Sequence, residues 1–265
     1  MIAIVPAAAE SIFHIGSMPI TNSMINAWIA VVFFVIFGLV MRKRAEMLPK
    51  KLQNAVELIL ETMINEMDKV TGSRVNTKRF LPIVGSIFFF VLFSNWIGLI
   101  PGTGSIGIYE MVHGEVELVP LFRPATSDLN MTLAMSVISL VLWHAFGLVS
   151  LGFVSHFSKF FNFRGIVHSI KKGPMQILTS IVEFFVGLLE VISEVAKALS
   201  LSLRLFGNIF AGEVLLTVML GIFSYVLPVP FMFLELLVGL IQATIFAMLV
   251  LAFMTVSTQE HEHSE

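Results

Sequence analysis

The chain has 265 residues, of which 57% are hydrophobic and 13% are charged, with 16 basic and 18 acidic side chains. Soluble domains carry about 25% charged residues, so this composition predicts a membrane protein. The absence of cysteine excludes disulfides, zinc–thiolate sites and iron–sulfur clusters. The first 25 residues have no basic region, which argues against a cleavable signal peptide.

The first part of the chain combines one apolar span with a charged loop. Residues 1–23 are predicted to be an external N-terminus, followed by a membrane span over 24–41. The loop over 42–79 contains a predicted amphipathic helix at 50–71, because its apolar residues recur at spacings of three and four. These residues are Leu52, Val56, Ile59, Met63, Met67 and Val70. The helix either lies on the membrane surface or packs against partner subunits, and the pattern does not decide between the two.

Four more apolar segments follow. They are 81–100, 126–155, 175–226 and 231–256, with an external loop at 101–125, a cytoplasmic loop at 156–174 and a tail at 257–265. The segment 175–226 is too long for one perpendicular crossing, since about 20 helical residues span the bilayer core. It contains no turn signal, which favours one long, strongly tilted or bent helix over a hairpin of two spans. The predicted fold is therefore an all-α polytopic membrane domain with five crossings, the last two long and tilted.

The distribution of basic residues predicts the topology. Nine of the 16 Lys and Arg residues lie in 42–79 and four in 159–172, whereas residues 100–125 contain one. Because loops rich in Lys and Arg stay in the cytoplasm, the two basic loops are predicted to be cytoplasmic. The N-terminus is then external and the C-terminal tail cytoplasmic.

Arg204 lies inside the long apolar segment. Placing an arginine at the centre of a membrane helix costs roughly 2.5–3.5 kcal/mol on insertion scales. The guanidinium cannot lose its proton to avoid this cost, because its pKa exceeds about 12. Arg204 is therefore either one half of a structural ion pair or a functional charge, and the second is the default interpretation of an intramembrane charge.

Other polar residues share the helix with Arg204. One stripe through Arg204 is small and polar, and its members are Glu190, Ser193, Lys197, Ser200, Gly207, Asn208 and Ala211. Glu213 lies nine residues beyond Arg204 and is predicted to point to the opposite side. On the last span, Glu235 and Gln242 share a face that can approach the Glu213 side. Carboxylates and amides spaced in this way can relay protons.

Several of these residues have a structural interpretation as well. Glu194 and Lys197 are spaced for a local ion pair near the cytoplasmic interface, which is the favoured interpretation for both. Asp128 and Asn130 are equally consistent with a helix start and with a proton pathway. His144 is at least as consistent with a hydrogen-bonded packing role as with proton transfer.

Four stretches of this sequence resemble subunit a of the F-type ATP synthase. The most specific is SLSLRLFGNIFAGE at 200–213, and the others are NWIGLIPG at 95–102, PATSDLNMTL at 124–133 and LIQATIF at 240–246. They occur in the same order and spacing as in that family, and the resemblance covers nearly the whole chain.

The resemblance implies a role for each polar residue. Arg204 matches the arginine that faces the essential carboxylate of the rotating c-subunit ring and blocks direct leakage between two offset half-channels. Asn208, Glu213, Glu235 and Gln242 match positions of the external half-channel, and Glu190 matches one of the cytoplasmic exit. Some members carry histidine where this chain has Glu213 or Glu235, so its relay lacks a group with an unperturbed pKa near 6.5. The segment 156–173 looks longer and more basic than the family pattern.

The predicted function is proton translocation coupled to ATP synthesis, with the c-subunit ring, the peripheral-stalk b subunits and the lipid bilayer as partners. No Walker-type, H-E-x-x-H or G-x-S-x-G motif is present, so no catalysis, cofactor, metal, nucleotide or nucleic-acid binding is expected of this chain alone. A self-contained secondary ion transporter or channel is the alternative, and the lack of an internal repeat and of paired broken helices argues against it. A bacterial plasma membrane is the expected location, and protons are favoured over sodium as the coupling ion.

Overall fold

The computed structural model describes residues 8–46, 51–100, 106–112, 115–153, 156, 174–222 and 226–258. Its helices are α1 (Asn22–Arg44), α2 (Lys51–Thr71), α3 (Arg74–Ile97), α4 (Leu129–Leu151), α5 (Pro174–Ile222) and α6 (Pro228–Thr258), with a 3-10 turn at Ala125–Ser127. Two short antiparallel hairpins complete the described chain: β1 (Ser11–Ile15) with β2 (Met18–Thr21), and β3 (Gly107–Val112) with β4 (Glu115–Pro120).

Five of the helices are long and apolar enough to cross a membrane, namely all except α2. The predicted all-α polytopic fold is therefore confirmed. The long apolar segment is one helix of 49 residues, α5, rather than two spans. The tilt of α5 and α6 relative to a membrane stays a prediction.

Helix bounds differ from the predicted spans where charged residues continue a helix. The second span was expected to begin at 81, but α3 begins at Arg74 and so includes Lys78 and Arg79. The third, α4, occupies the central part of the predicted 126–155 segment. The predicted external loop at 101–125 contains the β3–β4 hairpin, whereas the sequence analysis predicted no strands there. The first two residues of the predicted tail at 257–265 belong to α6, and the rest of the tail and most of the loop at 156–174 lie outside the described residues.

The core lies between α3, α4, α5 and α6. Its buried side chains form one apolar cluster that includes Phe80, Val91, Trp143, Leu205 and Met254. Helix α1 packs on the outside of α3 through aromatic contacts, with the ring centroids of Phe33 and Phe93 4.7 Å apart. The core thus fixes the four helices that carry the predicted polar residues.

The amphipathic helix α2 packs partly onto this core. Met67 is fully buried in the apolar cluster and Met63 packs against it. At the turn between α2 and α3, Gly72 adopts a positive φ of 63° and the Arg74 guanidinium lies 2.5 Å from the Asp68 carboxylate. A hydrogen bond from Thr77 and the nearby Arg74 charge lower the pKa of Asp68. Leu52, Ile59 and Val70 of the predicted apolar face remain exposed, so part of this face is available to a membrane surface or a partner subunit.

The two hairpins mark one end of the helix assembly. At this end, which we name the hairpin end, α1, α4 and α6 begin and α3 and α5 finish. The Asn22 side chain at the start of α1 donates to the backbone carbonyl of Pro120 at the end of β4 over 3.2 Å. Thr21 caps α1 by accepting a hydrogen bond from the Met24 backbone N–H. These contacts tie the hairpins to the ends of the helices.

Candidate functional site

Helix α5 has two chemically different faces around Arg204. Arg204 and Asn208 are exposed, and within the described chain neither makes a hydrogen bond or an ion pair. The exposed small residues on the same side are Ser193, Ala196, Ser200, Gly207 and Ala211, and we name this set with Arg204 and Asn208 the Arg204 face. No described atom lies within 4 Å of a Cβ placed on Gly207, so the space above this face is open.

The opposite side of α5 is packed into the core. Leu201, Ser202 and Leu205 are almost fully buried there. The Ser202 hydroxyl lies 3.2 Å from that of Thr132 on α4, which adds a polar contact to the apolar packing. The orientation of Arg204 is therefore set by the residues on either side of it in the sequence, which bury the other face.

Glu213 points away from Arg204 and is held by Arg123. The Arg123 Nε lies 3.1 and 3.2 Å from the two Glu213 carboxylate oxygens, and the arginine side chain is 2% exposed. Arg123 lies on the segment that precedes α4, 90 residues from Glu213. The sequence predicted the direction of Glu213 but not its partner, since residue spacing carries no information about a contact of this range.

Arg123 also contacts a nearby residue and two distant ones. Its Nη1 donates to the backbone carbonyl of Ala8 over 3.0 Å, and its Nε lies 3.1 Å from the Ser127 hydroxyl. Its own backbone carbonyl accepts a hydrogen bond of 2.7 Å from Asn26 on α1. Three segments of the chain therefore converge on one buried guanidinium at the hairpin end.

Asp128 begins α4 and also binds α1. Its carboxylate accepts hydrogen bonds from the Asn130 backbone N–H and from the Ser23 hydroxyl, both at 3.0 Å. Asp128 is thus the N-cap of α4, one of the two interpretations left open by the sequence. The Asn130 side chain is exposed in the first turn of α4.

Glu235 and Gln242 lie on the buried side of α6. Glu235 is packed against Gly212 of α5, because a Cβ added at Gly212 would overlap the Glu235 carboxyl group. Gln242 is also buried. Glu235 therefore lies beside the residue that precedes Glu213, whereas an approach of the Glu235–Gln242 face to Glu213 itself stays a prediction.

The end of α3 is hydrogen-bonded to α6 close to Glu235. The Asn95 amide donates to the Gly239 carbonyl and the Trp96 indole to the Leu236 carbonyl, both at 3.1 Å. The Asn95 side-chain oxygen accepts a 2.5 Å hydrogen bond from Thr126 in the 3-10 turn. Two of these three bonds, those of Asn95, are buried, and together the three hold the α6 backbone around Glu235 against α3.

A separate polar cluster lies toward the other end of the assembly. Glu194 accepts a hydrogen bond from the Trp143 indole over 3.1 Å and pairs with Lys197 at 2.7 Å, the local ion pair that their spacing predicts. His144 Nε2 lies 3.9 Å from Glu194, and its Nδ1 lies 3.2 Å from His156. His144 is thus part of a polar network that joins α4 to α5.

Glu190 is not part of that cluster. It is half-buried one turn from Glu194, and it makes no hydrogen bond or ion pair with any described residue. Ser200 is exposed on the Arg204 face. Glu190 and Arg204 thus lie along one helix without a protein partner in the described chain, whereas Glu194 and Glu213 are both paired.

Comparison with known proteins places this arrangement in a family. The family described as ATP synthase A chain matches residues 24–255. The chain belongs to this family. The resemblance to subunit a drawn from the sequence is therefore confirmed, and the predicted class of function is confirmed at the level of the family.

Individual relatives match over most of their length. The chain is 29% identical to ATP synthase subunit a of Moorella thermoacetica over 242 residues, which are 91% of this chain and 93% of that protein. It is 28% identical to ATP synthase subunit a of Gloeobacter violaceus over 263 residues, 99% and 94% of the two chains. Over 238 residues, 89% of this chain and 83% of the relative, it is 32% identical to ATP synthase subunit a of Syntrophobacter fumaroxidans.

Proposed function

We propose that this chain is the ion-translocating stator subunit of an F-type ATP synthase, and that Arg204 faces a carboxylate of the c-subunit ring. The observation that carries this proposal is the Arg204 face itself. A helix surface that meets lipid is expected to be apolar and bulky, whereas small residues allow another helix to approach closely. An exposed arginine surrounded by Ser, Gly, Ala and Asn therefore fits a partner helix that supplies the missing anion.

The chemistry of arginine suits this position. Its guanidinium stays protonated at any physiological pH, so it cannot carry protons along the helix. It can attract an ionised carboxylate on the ring, and its fixed charge repels a proton moving past it. The proposed role of Arg204 is therefore to let the ring move while it blocks direct proton leakage.

The positions of the carboxylates fit two separate half-channels. The hairpin side of Arg204 carries polar groups at successive positions along α5 and α6. These are Asn208 and Glu213 on α5 and Glu235 and Gln242 on α6. On the other side, Glu190 lies 14 residues from Arg204, about 21 Å along a helix. We assign the first group to the external half-channel and Glu190 to the cytoplasmic one. A proton that uses both must travel on the ring between them.

This assignment also defines the surroundings of the chain. The hairpin end is external, the C-terminus is cytoplasmic, and the membrane is a bacterial plasma membrane. Peripheral-stalk b subunits are expected as further partners, and ATP hydrolysis is assigned to other subunits. One proton crossing 100 mV supplies about 2.3 kcal/mol, so several must cross for each ATP made.

Reconstitution in liposomes distinguishes this function from a self-contained transporter. Proton uptake is measured under a potassium-diffusion potential, with the chain alone and with the chain and the c-subunit ring together, in sodium-free buffer. The proposal predicts proton uptake only when the ring is present. Comparable uptake by the chain alone would favour the transporter, and uptake that requires sodium would contradict proton coupling.

A further inference from the structure

We propose that Arg123 is a positioning residue of the external half-channel, which holds the Glu213 carboxylate in a fixed orientation and competes with protons for its oxygens. This inference rests on the proposed function, because it assigns Arg123 a part in the same proton pathway. It starts from an observation that is independent of the Arg204 face, namely a buried ion pair between the segment before α4 and α5.

Burial makes Arg123 and Glu213 dependent on each other. The arginine side chain is 2% exposed and that of Glu213 is 22% exposed. Removing two charges from water costs several kcal/mol for each ion, and the cost is recovered only when the pair has good geometry and further hydrogen bonds. Arg123 has both, since its Nε approaches both carboxylate oxygens and its Nη1 binds a backbone carbonyl.

The location of the pair links it to proton transfer. Glu213 follows Gly212, the residue against which the Glu235 carboxyl group is packed. Of these two neighbouring carboxylates, Glu213 has an arginine partner, whereas Glu235 makes no hydrogen bond or ion pair in the described chain. The pair therefore gives the two carboxylates different roles: Glu213 is the oriented anion and Glu235 the group that is available to receive a proton.

Neighbouring charged groups do not duplicate the contribution of Arg123. Asp128, also buried at this end, is occupied by Ser23 and the Asn130 backbone N–H. On α6, the ionisable side chain of Glu235 packs against Gly212, the residue that precedes Glu213. Among the described residues that contact Glu213, Arg123 is the basic one, and a proton that binds Glu213 removes the negative charge that attracts the guanidinium.

The test uses the complete ATP synthase in inverted membrane vesicles, whose lumen corresponds to the external side. The rate of ATP synthesis is measured at a fixed membrane potential while the lumen pH is varied. Arg123→Gln is expected to lower the rate about tenfold per assembled complex and to shift the lumen pH of the half-maximal rate. Arg123→Lys keeps the charge but not the planar fork, so an intermediate rate and a smaller shift are expected.

Asn26→Ala is the matched structural control. It removes the hydrogen bond to the Arg123 backbone carbonyl but leaves the ion pair in place, so the amount of assembled complex can fall while the pH profile stays unchanged. An unchanged rate and profile in Arg123→Gln would overturn the inference. If Arg123→Gln does not assemble, Arg123→Lys decides: a shifted profile supports the proposal and an unshifted one overturns it.

Failure of this inference is separable from failure of the proposed function. If the Arg123 variants match the wild type while Arg204→Ala loses synthesis, the stator function stands and the role of Arg123 is rejected. If Arg204→Ala also synthesises ATP normally, the proposed function itself is rejected.

Discussion

Replacement of Arg204 by alanine is expected to abolish ATP-driven proton pumping while the complex still assembles and hydrolyses ATP. Removing one partner of an ion pair in a low-dielectric environment costs about 3–5 kcal/mol, and each factor of ten in an equilibrium corresponds to about 1.4 kcal/mol. Coupled pumping should therefore fall by about 100-fold or more. Because Arg204 has no partner in the described chain, its loss should not disturb the packing of α5.

The measurement is the acidification of inverted vesicles by ATP, recorded together with ATPase activity and passive proton leak. Leu203→Ala is the control, since Leu203 is the exposed neighbour of Arg204 and carries no charge. It should leave pumping nearly unchanged. An increased proton leak in Arg204→Ala would support the barrier role of Arg204. Normal pumping in this variant would show that Arg204 has no coupling function.

Replacement of Gly212 by alanine is expected to reduce proton pumping strongly through Glu235. The added methyl group would occupy the position of the Glu235 carboxyl group, so either that side chain or the α5–α6 packing must move. Small shifts of a reacting group can reduce a rate about 100-fold, and a loss of at least about tenfold in pumping is expected here. The measurement is again ATP-driven acidification, normalised to the amount of assembled complex.

A second substitution tests whether the effect passes through Glu235. Glu235→Asp shortens the side chain by one methylene group, so combined with Gly212→Ala it should recover part of the lost pumping. Gly38→Ala in α1 is the control, because no described atom lies within 4 Å of a Cβ at this position. A double variant no better than Gly212→Ala alone would show that the damage does not arise at Glu235.

Properties that depend on local periodicity could be predicted from the sequence. The apolar segments predicted the membrane helices, and the absence of a turn signal predicted that α5 is continuous. The opposite orientations of Arg204 and Glu213 also follow from the helical repeat alone. Each of these predictions depends on residues within one helix.

Properties that depend on contacts between distant segments could not be predicted in this way. Arg123 is the one basic residue in 100–125, and nothing in its spacing indicates a contact with Glu213. The same applies to the hydrogen bond from Trp143 to Glu194, which joins residues 51 positions apart. Such pairs are set by helix packing, which buries polar groups that must then find partners.

Cysteine cross-linking tests most directly whether the Arg204 face of α5 meets the c-subunit ring. The chain contains no cysteine, so a single introduced thiol is unique in it. Asn208→Cys and Leu205→Cys are each combined with a cysteine beside the ring carboxylate, and membranes are oxidised. Cross-linking of Asn208→Cys with little from Leu205→Cys is the expected result, because Asn208 is exposed beside Arg204 and Leu205 is buried. Cross-linking through Leu205→Cys but not through Asn208→Cys would show that the Arg204 face of α5 does not meet the ring.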